Sequence, residues 1–168
     1  MKRRRLLQLG LVGGATLALA GGGLSLMRHG VESGRLTEPG RVVFRAVGRA
    51  VLDGSLPTEP AGQRAALDGL LVRLDDAIGA FPAHVQAELS QLLALLASAP
   101  GRLGLAGLGT DWPDASVAQI QSALQSMRTS GFDLRQQAYL ALHDLTGAAY
   151  FSDRSTWGPL GSPGPLDI

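Results

Sequence analysis

The chain reads as an all-α protein: a small bundle of about five helices, an irregular aromatic and Gly-Pro tail, and an N-terminal signal or anchor helix in front. Three observations predict this. Leucine and valine recur at three- and four-residue spacings in successive segments, each stopped by Gly or Pro. No stretch sustains two-residue alternation of β-branched residues. The 45% hydrophobic and 17% charged composition suits a globular core at 168 residues, and one domain is the default at this length.

A polar linker is expected at 28–36, then helices over 37–150. Thr37 is placed to cap the first helix, with Pro39 in its opening turn where a missing N–H does no harm. Val43, Val47, Ala50 and Val51 follow at helical spacing, and Asp53-Gly54-Ser55-Leu56-Pro57 stops them. Thr58 and Pro60 open the second helix, whose stripe is Leu67, Leu70, Leu71, Leu74 and Ile78. Phe81-Pro82 opens the third, lined by Val85, Leu89, Leu92, Leu93 and Leu96 and closed at Pro100-Gly101. It is the most hydrophobic and is expected near the centre. A Gly-rich connector, 101–109, precedes a fourth helix from Asp114 carrying Val117, Ile120, Leu124 and Met127. The fifth starts near Asp133, carries Leu134, Ala138, Leu142 and Leu145, and fades into the tail, 151–168.

Residues 1–27 read as an address. The start is basic, the following run is mildly apolar and rich in Gly and Ala, and Ala18-Leu19-Ala20 offers a small-x-small cleavage site at Ala18 and Ala20. Arg3, Arg4, Arg5, Leu6 and Leu7 fit the twin-arginine pattern, implying the twin-arginine translocase and a periplasmic location. The alternative is a retained anchor. Leu6 to Met27 carries no charge and is long enough to cross a bilayer, which would put membrane contact at 6–27 and tether the protein to the inner membrane.

Lys2 and Arg3 to Arg5 supply four of the 15 cations, leaving 11 against 14 acids, about −3, for the rest. No basic footprint for nucleic acid remains. The absence of cysteine excludes disulfides, thiolate catalysis and thiolate metal sites. No catalytic residue, metal site or bound cofactor is expected on this chain. His84 and Glu88 stand one turn apart, but two ligands do not make a site; His84 is expected on the solvated side of the third helix. His143 and Asp144 are adjacent and expected to diverge on the helix surface. Asp75-Asp76 reads as a solvated pair. The glycines of GLAGLG at 104–109 lack dinucleotide-loop order and follow no strand. Trp112 is expected to plug one end of the bundle.

The most specific segment is GAAYFSDRSTWGPLGSPGP, 147–165, with Tyr150, Phe151 and Trp157 within eight positions. Thr146, Gly147, Tyr150, Phe151, Ser152, Asp153, Trp157, Gly158, Gly161, Pro163, Gly164 and Pro165, behind a twin-arginine-type leader and a helical body, resemble the small subunit (subunit 3, or gamma) of gluconate 2-dehydrogenase-like enzymes. The resemblance implies a non-catalytic accessory subunit. It would bind a large flavoprotein dehydrogenase of the glucose–methanol–choline class, often with a cytochrome c subunit, and support that partner's maturation and export. FAD would sit on the partner. Tyr150, Phe151, Trp157 and Pro163 are the expected interface residues, since aromatic anchors dominate such contacts. The alternative function is a membrane-tethered helical envelope scaffold with no dehydrogenase partner.

Overall fold

The structure, a computed structural model, describes residues 29–160, with side chains through Trp157. The leader residues Arg3, Arg4, Arg5, Leu6 and Leu7, the cleavage site at Ala18 and Ala20, the span 6–27 and Pro163 lie outside the described residues.

The fold is mostly helical, compatible with a helical bundle, with a small two-stranded sheet. The five long helices are α1 (Glu38–Val51), α2 (Pro60–Gly79), α3 (Ala83–Ala97), α4 (Val117–Arg128) and α5 (Asp133–Phe151). They coincide closely with the sequence expectation. The caps differ in detail. Glu59, not Thr58, caps α2: its carboxylate accepts the Ala61 and Gly62 amides at 2.8 and 2.9 Å. The fourth helix starts later than Asp114 because Ser116 and Gln119 form a capping box, each side chain accepting the other's backbone N–H.

The centre is α1 rather than α3. It packs against each of the other four helices and buries Val43, Phe44 and Val47 completely. Its small buried residues Gly40, Ala46, Gly48 and Ala50 let neighbours close in from several sides. Low average hydrophobicity hid this, because Arg41, Arg45 and Arg49 recur every four residues along the same helix. Each of them is used. Arg41 pairs with Asp75, Arg45 with Asp68 at 2.6 Å, and Arg49 donates to the carbonyls of Trp112, Pro113 and Ala115.

The segment expected as a linker is a hairpin. β1 (Val31–Glu32) and β2 (Arg35–Leu36) pair antiparallel, Val31 opposite Leu36 and Glu32 opposite Arg35. The loop is Ser33-Gly34 with φ of 51° and 75°, the two positive values that a primed two-residue turn requires. Val31 and Leu36 are buried, and Glu32 and Arg35 face solvent.

The Gly-rich connector is also more ordered than its composition suggests. A turn at Ala99–Gly101 runs into a π-helical turn at Arg102–Ala106, which buries Leu105 and Ala106 and exposes Leu103. The Arg135 Nε–H of α5 donates to the Leu105 carbonyl at 2.8 Å, and Arg102 pairs with Asp111. Trp112 plugs the bundle as expected: it is 2% exposed, and its indole N–H donates to the Leu96 carbonyl at 2.8 Å.

Among the described residues no single helix is long and apolar enough to cross a membrane. Together, α3 and the segment Ala99–Ala106 have the length and composition, but they bend by 89°. Leu89, Leu92, Leu93, Leu96 and Leu105 are buried, so this apolarity builds the core.

Candidate functional site: the C-terminal aromatic latch

The aromatic tail is folded back on the body, and each step follows from how a helix ends. The last carbonyls of an α-helix have no partner within the helix. At the end of α5 side chains supply them. The Ala149 carbonyl accepts the Arg73 Nε–H of α2 at 2.7 Å and the Ser152 hydroxyl at 2.9 Å. The Phe151 carbonyl accepts the Trp157 indole N–H at 2.8 Å, and the Thr156 hydroxyl donates to the Asp153 carbonyl at 2.7 Å, with the Tyr150 carbonyl farther off at 3.3 Å.

Asp153 turns the chain. Its Oδ1 accepts the Ser155 N–H at 2.9 Å and the Ser155 hydroxyl at 2.8 Å, an Asx-type turn that leads into the 3₁₀ helix Arg154–Leu160. Its Oδ2 meets Arg73 Nη1 at 3.2 Å. The Ser155 hydrogen bonds, with the nearby Arg73 charge, hold the Asp153 carboxyl below the usual carboxylate range.

The rings divide into an inner one and an outer pair. Tyr150 is 3% exposed, and its hydroxyl donates to the Ser55 carbonyl at 3.1 Å, sealing the loop after α1. The Arg73 guanidinium lies 5.9 Å from the centre of its ring, within cation–π range. Burial raises the Tyr150 phenol above its ordinary value, against the opposing pull of Arg73. Phe151 meets Tyr150 edge-on, with ring centres 5.1 Å apart at 85°. Phe151 and Trp157 are half-buried, each keeping part of its surface open.

Tyr150 is therefore corrected from an interface anchor to a core residue. A phenol between Arg73, Ser55 and Phe151 has almost no surface left to offer. Phe151 and Trp157 keep the exposure an anchor needs. Thr146, another residue of the C-terminal motif, is fully buried, and its hydroxyl has no hydrogen-bond partner among the described residues.

The remaining polar candidates are dispersed. His84 is exposed near the start of α3, as expected, and Glu88 is half-buried one turn on. His143 and Asp144 do not diverge: Nδ1 and Oδ1 are 3.0 Å apart, with the imidazole stacked on Tyr139 at 5.2 Å. Both side chains remain exposed. Among the described residues no three His, Asp or Glu side chains gather as a metal site would require. Asp75 is not part of a solvated pair. It is 8% exposed and accepts the Leu36 N–H at 2.8 Å while pairing with Arg41, whereas Asp76 alone faces water. Sequence reasoning missed it because its partners lie 34 and 39 residues earlier.

Compared with protein-family models, with curated proteins and with solved structures, the chain matches none.

Proposed function

We propose that this chain is a non-catalytic accessory subunit, exported by the twin-arginine route, that docks on a periplasmic flavin-dependent alcohol or sugar dehydrogenase and supports its maturation. The observation that carries the reading is the ordered latch. Phe151 and Trp157 are held by an edge-on ring contact and by the indole–carbonyl bond, yet stay partly open. Aromatic groups fixed before binding lose little conformational freedom on contact, which is what an interface anchor requires. FAD belongs to the partner in this reading. A cytochrome c subunit is a further member of the assembly.

The test is co-purification of the tagged, full-length chain from its host, with the bound protein identified by mass and by its flavin absorbance. A flavoprotein retained by the wild type and lost on Phe151→Ala/Trp157→Ala supports the proposal. A homogeneous monomer contradicts it.

A second reading, a membrane-tethered helical scaffold with no dehydrogenase partner, is favoured by one observation away from the latch. Leu103 and Phe132 are 62% and 74% exposed, each more open than the half-buried Phe151 and Trp157. An uncleaved leader in the mature protein's mass would favour it.

A further inference from the structure

The hairpin is held by two buried polar side chains from two different helices. The Ser90 hydroxyl of α3 accepts the Val31 N–H at 3.1 Å and donates to the Val31 carbonyl at 3.0 Å. Asp75 of α2 divides its carboxylate between the Leu36 N–H at 2.8 Å and Arg41. The Thr37 N–H donates to the Gly30 carbonyl at 3.1 Å, and the Thr37 hydroxyl to the His29 carbonyl. A Cβ on Gly30 would lie 2.3 Å from the Leu93 Cβ, so only glycine fits where the chain crosses α3. Two-residue strands are marginal by themselves. Beyond Val31 and Leu36 the hairpin buries little apolar surface, and its closure depends on what α2 and α3 present to it.

We infer that this hairpin is a folding-coupled strap. It closes only on a body in which α2 and α3 are both in place, and closure fixes the surface point from which residues 1–28 depart. Opening releases residues 30–37, about 26–29 Å of extended chain. The strap thus sets how far an N-terminal leader or anchor stands from the folded body. Its consequence rests on reading 1–27 as such a segment; its closure rests on the hairpin alone.

Amide exchange and trypsin cleavage on the full-length protein test it, with Ser90→Ala and Asp75→Asn as variants. Ser90→Ala removes both Val31 hydrogen bonds, and Asp75→Asn removes the charge that pairs with Arg41; each is expected to speed exchange at both Val31 and Leu36 by roughly tenfold, with cleavage after Arg35 rising to match. Amides of α4 and α5 should keep wild-type protection. Unchanged exchange at Val31 and Leu36 would overturn the inference. So would a parallel rise across α4 and α5, since the hairpin would then open only with the whole core. Ser90→Ala removes one hydroxyl and keeps the test decisive if Asp75→Asn does not fold. Neither readout passes through export or a partner, so failure here is distinct from failure of the dehydrogenase reading.

Discussion

Arg73 of α2 and Asp153, 80 residues later, meet at 3.2 Å, and with the Arg73–Ala149 bond they fasten the C-terminal segment to the bundle. The Arg73 side chain is 23% exposed and that of Asp153 38%, so the ion pair by itself contributes little and the neutral contacts of Arg73 matter more. The arrangement places one guanidinium on a helix-end carbonyl, a carboxylate and an aromatic face at once. Lysine cannot reproduce that planar fork.

Tyr150 should therefore behave as a core residue. Tyr150→Phe, which loses only the bond to Ser55, is expected to cost about 1 kcal/mol. Tyr150→Ala, which also opens a cavity, should cost about 3–5 kcal/mol. Denaturant unfolding of both variants measures the difference. Equal, small effects would show the ring to be peripheral.

The latch should loosen in acid. The Asp153 carboxyl is held low in the folded protein, so its contribution is complete above the ordinary aspartate value of about 3.9 and is lost as pH falls through and below it. The indole N–H resonance of Trp157 is expected to move in that window while that of Trp112, bonded to Leu96, stays in place. The Tyr150 phenol works at the other end of the scale. Its folded value is raised, so its contribution is complete below about pH 10 and is lost on further rise.

Trp112→Ala is expected to be among the most destabilising single changes, about 3–5 kcal/mol, since it empties a large buried volume and orphans the Leu96 carbonyl. Thermal unfolding followed by circular dichroism checks this.

Thr146→Val should go the other way. The Thr146 hydroxyl is buried without a partner among the described residues, and valine has nearly the same shape, so a gain of up to about 1 kcal/mol is expected. A loss of stability would mean that the hydroxyl is used in the folded protein.

The five helices were legible because their buried stripes repeat at helical spacing and Gly or Pro closes them. The hairpin was not: two-residue strands carry no periodicity, and the signal was Ser33-Gly34 followed by the buried Leu36. The centrality of α1 was hidden by its arginines, and the burial of Asp75 by a partner on another helix. In the latch, the cluster of rings was visible at once. Which ring turns inward depends on Arg73 and Ser55, distant in sequence, and no local pattern announces either.

In the proposed function Phe151 and Trp157 dock a flavoprotein. The most direct test of that docking is affinity purification of the full-length chain from its host beside the Phe151→Ala/Trp157→Ala variant, after circular dichroism has shown both to be folded. The expected result is a stoichiometric flavoprotein with the wild type and a loss of at least 2 kcal/mol of affinity, roughly thirtyfold, in the variant. A wild-type monomer with no flavoprotein attached, or a variant that retains its partner undiminished, would contradict it.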